Sequence, residues 1–263
     1  MTFALIGAGA MGEGILAGVL RGGVAGDSVR VVEHRAERAA ELAERYGVQV
    51  VDSVTAAQAA DELALVVKPK DAAGVLAEIG PHLRPGTLLI SFVAGLTTAT
   101  IEAALPGDTP VVRVMPNTPA MYGQGMAAAS AGSHAQPAHL DRVRELLAGT
   151  GAVVVVPESQ QDAVTAVSGS GPAYIFLVAE AMIEAGVQLG LARDVATTLT
   201  NQTILGAATM LTESADSATV LRERVTSPGG TTAAALRMLE AHSLRAAFSD
   251  AIEASYEKSR ALG

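Results

Sequence analysis

Short apolar runs alternate with amphipathic stretches through the first part of the chain. The runs Thr2–Ile6, Val29–Glu33, Leu63–Val67, Thr87–Ser91, Val111–Met115, Met126–Ser130 and Ala152–Val156 read as strands. Between them Gly12–Arg21, Ala36–Tyr46, Asp71–Ile79 and Thr97–Leu105 show helical spacing. This alternation predicts an α/β fold, a Rossmann-like doubly wound and mainly parallel sheet with helices on both faces. Leu63–Val67 and Val153–Val156 are continuously apolar, which predicts strands buried on both sides. After Pro157 the period changes. Ala173–Leu189, Arg193–Thr212, Thr231–Ala241 and Leu244–Leu262 are long aliphatic segments of helical period, punctuated by SGSGP, GLARD, SPGG and AHS. A boundary at Pro157 is therefore expected, with an α/β domain over residues 1–157 and an all-helical domain over 158–263. In the second helical segment Val195, Ala196, Leu199, Ile204, Leu205 and Ala208 spread too widely to face one neighbour. Each fully buried aliphatic side chain is worth roughly 1.5–3 kcal/mol, so a two-fold partner offering the same helices is expected.

Composition narrows the classes. The chain has 263 residues, 49% of them hydrophobic and 3% aromatic, a net charge of -9, and no Cys. Lack of Cys excludes a disulfide scaffold, a thiolate metal site and a cysteine nucleophile. The acidic balance argues against a nucleic-acid partner. No apolar run approaches the roughly 20 residues needed to span a bilayer, and the start, MTFALIGAGAMG, has no basic leader region, so a cytoplasmic protein without a membrane partner is expected. Arginine is strongly preferred over lysine, which occurs only at 68, 70 and 258, and Asn occurs only at 117 and 201. Either genomic bias or a specific need explains such rarity.

Gly7-Ala8-Gly9-Ala10-Met11-Gly12 follows the first strand and opens a helix. Gly7 suits a tight turn, Gly9 a close approach to a pyrophosphate, and Gly12 a close helix–strand contact, with the phosphates at the helix N-terminus. The second strand ends in Glu33-His34-Arg35. An acidic residue there suits the ribose of NAD, and a nearby Arg suits the 2′-phosphate of NADP; both are present. Lys68, in Val66-Val67-Lys68-Pro69-Lys70, follows a later strand, where a cation either meets cofactor or substrate or simply solubilises a loop. Phe92–Gly95 and Met115–Pro119 follow further strands and should line the same crevice. Asn117, flanked by prolines, either bonds the nicotinamide side or caps its own loop. Ser168-Gly169-Ser170-Gly171-Pro172 reads as the cap of a long helix, with Pro172 in its first turn. Val225–Thr232 gathers four hydroxyls and two glycines before another helix, a turn able to hold a small carboxylate or to act as an elaborate N-cap. The five His form no metal pattern, and no metal is expected. A hydride carrier is the evident reagent.

Together these residues resemble the Δ1-pyrroline-5-carboxylate reductases. The likeness runs nearly end to end through GAGAMG, VVKPK, FVAGL, VVRVMPNTPA, DAVTAVSGSGPAYIF and VTSPGGTTAAALRMLE, the last being the family's hallmark. It implies NAD(P)H-dependent reduction of the cyclic imine 1-pyrroline-5-carboxylate to L-proline, the last step of proline biosynthesis. It also implies a Rossmann domain followed by a helical domain that forms an interlocked homodimer, with dimers assembling further into a decamer. Ile6, Gly7, Ala8, Gly9, Ala10 and Met11 would then hold the pyrophosphate, and Val67, Lys68, Pro69 and Ala94 would line the dinucleotide. Ser227, Gly229, Gly230, Thr231 and Thr232 would form the substrate-carboxylate loop, with Ser227 and Thr232 the catalytic candidates and the Thr232 hydroxyl near the ring nitrogen. Each site would combine one chain's Rossmann domain with the other's loop.

The resemblance departs at one cluster. Many NADPH-using members carry Ser/Thr-Asn-Arg-Ser/Thr where this chain has Glu33-His34-Arg35-Ala36. Arg35 is kept, which leaves a slight preference for NADPH, with NADH also used. A protonated imine is electrophilic without further activation, so the protein mainly holds the reacting carbons within about 3–3.5 Å. Two rivals stand beside this reading. A β-hydroxyacid dehydrogenase or imine-reductase relative would carry a catalytic Lys after its Gly-rich helix start, and GSGPAYIFLVAEAM has none. A non-catalytic NAD(P)-sensing regulator would bind cofactor and consume none.

Overall fold

The structure, a computed structural model, describes residues 1–261. Eight strands form one sheet: β1 (Phe3–Ile6), β2 (Val29–Val32), β3 (Gln49–Val50), β4 (Glu62–Leu65), β5 (Leu88–Ser91), β6 (Val111–Met115), β7 (Gly125–Ala131) and β8 (Gly151–Val155). Their order is β3-β2-β1-β4-β5-β6-β7-β8. Neighbours are parallel throughout except β6 and β7, which are antiparallel. The expected doubly wound α/β sheet is what the chain forms, with its reversal of strand order between β1 and β4.

Side chains alternate across each central strand, and both faces are covered. Phe3 and Leu5 enter one apolar layer with Ile15, Leu16 and Val19 of α1 (Ala10–Arg21), Leu42 of α2 (Ala36–Tyr46) and Leu146 of α6 (Pro137–Leu147). Ala4 and Ile6 enter the other with Ala56 of α3 (Ser53–Ala59), Leu76 of α4 (Pro69–Ile79) and Ile101 of α5 (Thr98–Ala104). Leu63, Ala64 and Leu65 are fully buried, as their unbroken apolar run predicts.

The matching expectation for Val153–Val156 is overturned. Val154 and Val155 are 44% and 38% exposed, because β8 is the edge strand and pairs only with β7. An apolar run reports that a strand lacks a polar face; it does not report that one chain supplies both covers. Helices α3 and α6 and the two-residue β3 also went unseen in the sequence pattern. α3 is a seven-residue Ala-rich piece, started by Asp52, whose carboxylate accepts the Thr55 N–H at 2.8 Å. At the start of α6 the Nδ1 of His139 accepts the Gln136 N–H at 2.9 Å, a helix start that Ser/Thr-based signals miss.

After β8 the chain is helical. α7 (Gln161–Val164) passes through a π-helical turn, Thr165–Gly169, into α8 (Gly171–Gln188). SGSGP precedes α8 with Pro172 in its first turn, as expected, but what leads into it is a π-helical turn rather than a loop. Glu158–Gln188 is one helical stretch of 31 residues, long and apolar enough to cross a membrane, which corrects the expectation that no such segment exists. Then follow α9 (Arg193–Glu213), α10 (Ala218–Arg224), also unexpected, α11 (Thr231–Ala241) and α12 (Leu244–Arg260). The expected end of the last helix at Leu262 lies outside the described residues. On α8 and α9 Phe176, Leu177, Leu199, Leu205 and Leu211 are exposed.

Contacts divide the described residues into 1–170 with 255–261, and Gly171–Ala254. Residues 158–170 thus carry a helical pattern while packing on the sheet. What fixes them there is polar. The Glu158 carboxylate accepts the Thr98 N–H at 2.8 Å, the Thr98 hydroxyl at 2.6 Å and Nη1 of Arg113 at 3.2 Å. Arg113 projects from β6 with its side chain only 8% exposed, so it cannot shed its charge into water. Glu158→Ala leaves that guanidinium buried without its anion. The expected loss is about 3 kcal/mol, at the lower end for a buried pair because Glu158 is itself partly exposed. Urea unfolding of the variant against wild type checks it.

Candidate active site

The turn between β1 and α1 is shaped by lack of room. Gly7 has φ +97° and faces the Val66 carbonyl so closely that any Cβ would overlap its oxygen. Gly12 meets the Gly7 carbonyl in the same way, and a Cβ there would lie 3.5 Å from Leu5 Cδ2. The Val66 N–H bonds the Ile6 carbonyl at 2.8 Å, which seats the β4–α4 connection against the turn. Gly9 behaves differently: a Cβ there would meet nothing within 4 Å. It caps α1 without a side-chain hydrogen bond, and the first helical bond runs from Glu13 N–H to its carbonyl at 2.8 Å. The N–H groups of Ala10, Met11 and Gly12 are thus left for an anion, above the buried Ile6 and Ala8. This donor set fits a pyrophosphate.

Strand order decides which half of a dinucleotide goes where. Glu33, His34 and Arg35 follow β2 on one side of the turn; Val67, Lys68, Pro69, Ala94 and Asn117 follow β4, β5 and β6 on the other. The Glu33 carboxylate accepts the Arg35 N–H at 3.0 Å and its Nε at 3.1 Å, while the Arg35 side chain stays 69% exposed. These bonds from Arg35 hold the Glu33 carboxyl below its ordinary range, with the Arg35 charge adding to them against the opposing effect of burial. The pair is therefore complete above the usual carboxylate range and is lost only as pH falls through the depressed value. His34 is exposed. Lys68 caps α4, with Pro69 in the first turn, and its exposed ammonium has no ion-pair partner among the described residues. Val67 and Ala94 are half-buried at the crevice.

Asn117 does not cap its own loop, which removes one of the two expectations for it. Its carboxamide neither caps its own turn nor stands free: Oδ1 accepts the Met126 N–H at 2.8 Å and Nδ2 donates to the Ser168 carbonyl at 3.0 Å. Arg113 and Glu158 were also missed as anchors. The signal was available, since a lone Arg in the apolar run Val111–Met115 must find an anion.

In the helical unit, α10 leads into the turn Val225–Gly230. The Gly230 N–H bonds the Ser227 carbonyl at 3.0 Å, Gly229 has φ +69°, and a Cβ at Gly230 would overlap Ser227 Oγ. Gly230 caps α11 with no side-chain bond, so the hydroxyls do not form an elaborate N-cap. Among the described residues the hydroxyls of Ser227, Thr231 and Thr232 have no hydrogen-bond partner, and no group of three or more His, Asp or Glu is arranged to hold a metal. Free hydroxyls beside an uncapped helix start suit a small carboxylate.

Residues 158–262 match the family model described as pyrroline-5-carboxylate reductase dimerisation, and residues 2–95 the one described as NADP oxidoreductase, coenzyme F420-dependent. A pyrroline-5-carboxylate reductase from Corynebacterium melassecola is 43% identical over 100% of this chain and 98% of its own. The chain belongs to the pyrroline-5-carboxylate reductase family. Solved members share its architecture: that from Coxiella burnetii is 36% identical with a TM-score of 0.95, covering 100% of this chain and 98% of its own. The Plasmodium falciparum pyrroline carboxylate reductase, solved with NADP bound, is 30% identical with a TM-score of 0.89, again covering 100% and 98%. The dimerisation match spans α8 and α9, the helices that carry the exposed apolar side chains, and supports a homo-oligomer.

For this member of the pyrroline-5-carboxylate reductase family the two glycine environments separate binding from folding. Gly9→Ala has backbone angles open to any residue and no neighbour to strike. It should melt within about a degree of wild type while binding reduced dinucleotide about tenfold more weakly. Gly12→Ala drives a methyl into the Gly7 carbonyl and should lower the melting temperature by several degrees, on the order of 1–3 kcal/mol. Thermal melts and nicotinamide-fluorescence titrations read the two effects.

Proposed function

We propose that the chain reduces 1-pyrroline-5-carboxylate to L-proline, the last step of proline biosynthesis, using a reduced nicotinamide dinucleotide. The observation that carries this reading is the end-to-end identity of 43% to a curated pyrroline-5-carboxylate reductase. The nicotinamide supplies a hydride when bound. The first-turn N–H groups of α1 hold the pyrophosphate, and Val67, Lys68, Pro69 and Ala94 line the nicotinamide side. The Ser227–Thr232 turn takes the substrate carboxylate through its N–H groups and hydroxyls, and the Thr232 hydroxyl orients the ring nitrogen, with Ser227 beside it. The protonated imine carbon accepts the hydride and the nitrogen keeps its proton, so no general acid is required of the protein. In the homodimer the turn of one protomer completes the dinucleotide site of its partner. Dimers assemble into the decamer that the resemblance implies, and the work is cytoplasmic. The apolar surface of Glu158–Gln188 is assigned to the partner chain rather than to a bilayer, supported by the dimerisation match.

NADPH is slightly preferred and NADH is also used. The exposed Arg35 guanidinium is the partner for a 2′-phosphate, while Glu33 occupies the position that suits a ribose hydroxyl. The NADP held by the Plasmodium falciparum relative supports this choice.

Absorbance decay of NADPH and NADH with the imine tests the function, and a chain that binds dinucleotide yet consumes none with the imine would overturn it. Thr232→Val should lower kcat/KM by about tenfold or more, at least ~1.4 kcal/mol of transition-state stabilisation, with dinucleotide affinity unchanged. Arg35→Ala should raise KM for NADPH about tenfold and leave that for NADH nearly unchanged. Equal effects on both dinucleotides would show that Arg35 does not read the phosphate.

A further inference from the structure

Pro172 carries no N–H, so the carbonyl four residues before it, that of Ser168, cannot receive its normal helical bond. The chain answers by widening. The Ser170 N–H bonds the Thr165 carbonyl at 2.8 Å, five residues back, within the π-helical turn Thr165–Gly169. Such turns recur at functional sites. The donor that the Ser168 carbonyl lacks comes from 51 residues away, from Asn117 Nδ2 at 3.0 Å. The other end of the same carboxamide accepts the Met126 N–H at 2.8 Å, at the start of β7.

We propose that Asn117 is a positioning residue for the reaction, locking the loop after β6 to the π-helical turn so that the nicotinamide side of the crevice has one fixed shape. This rests on the reading that the carboxyl ends of β4 to β6 receive the nicotinamide. Asn117 is 8% exposed, and Pro116 and Pro119 stiffen the chain on either side of it. The two segments also touch through apolar atoms: a Cβ at Gly169 would lie 2.9 Å from Met115 Cε, so only glycine fits there without a shift. Only a carboxamide serves both bonds. An aspartate accepts from Met126 but cannot donate to Ser168, and an alanine does neither. With both ends engaged in the frame, Asn117 acts through the loop and the turn.

The test compares Asn117→Ala and Asn117→Asp with wild type. It measures kcat, KM for the imine, dinucleotide Kd by nicotinamide fluorescence, and the primary isotope effect with dinucleotide deuterated at the transferred position. Both variants should lose about tenfold or more in kcat per dinucleotide-binding site titrated by fluorescence, show an isotope effect at least as large as that of wild type, and keep Kd within about twofold. If the alanine variant fails to fold, the aspartate variant, which keeps the Met126 bond, decides alone. Unchanged kcat and isotope effect would overturn the assignment. So would a fall in kcat that disappears once rates are referred to titrated dinucleotide-binding sites, which marks a merely structural loss of active enzyme, or a Kd weakened about tenfold, which marks a direct ligand. Wild-type enzyme silent with the imine would overturn the function and this assignment together; wild-type turnover with indifferent variants overturns this assignment alone.

Discussion

Two backbone segments, at Gly7 and at Val66, come so close that no side chain fits between them. This contact sits where strand order reverses, and the rest of the binding half is arranged around it. It sets the start of α1 over the sheet, points three unpaired N–H groups at one spot, and brings the loops after β4, β5 and β6 to the same rim. Any residue but glycine at 7 needs both a positive φ and a displaced β4–α4 connection. The apolar layers on the two faces then hold α1 and α4 in place, so binding geometry and core packing are fixed by the same steric condition.

Much of this was legible because its causes are local. Val111–Met115 and Thr231–Ala241 have the bounds the pattern predicts, one a branched run and the other a helix begun by a Gly-Gly pair. The phosphate turn was legible because strand, glycines and helix adjoin in the chain. The partner of Asn117 was not, since the reason for it lies in the missing N–H of Pro172, far along the sequence. SGSGP announced the start of α8, while the π-helical turn before it was not legible, because a Gly/Ser/Pro cluster marks a helix break and a helix widening equally well. Glu33 and Arg35 were each read against a cofactor, and their bond to one another follows only from the backbone conformation that lets the side chains meet.

The arginine bias also finds a physical correlate. Buried or half-buried carboxylates are met by guanidinium groups: Glu13 by Arg38 and Arg45, Glu62 by Arg142, Glu158 by Arg113. No lysine enters an ion pair among the described residues. A planar fork can satisfy both oxygens of a carboxylate that water no longer reaches, which an ammonium does less well. Lysine is left where a solvated charge is wanted, as at the mouth of the crevice.

The exposed valines of β8 and the leucines of α8 and α9 bear on the life of the chain as well as on its assembly. Where a homo-oligomer covers such surface, its stability is tied to protomer concentration, so dilution works against the assembled state. A newly made chain must meet a second before its sheet edge meets something else, since an unpaired apolar edge is a template for adventitious strand pairing. Where folding and association are coupled in this way, the competent fraction falls as the concentration of chains falls.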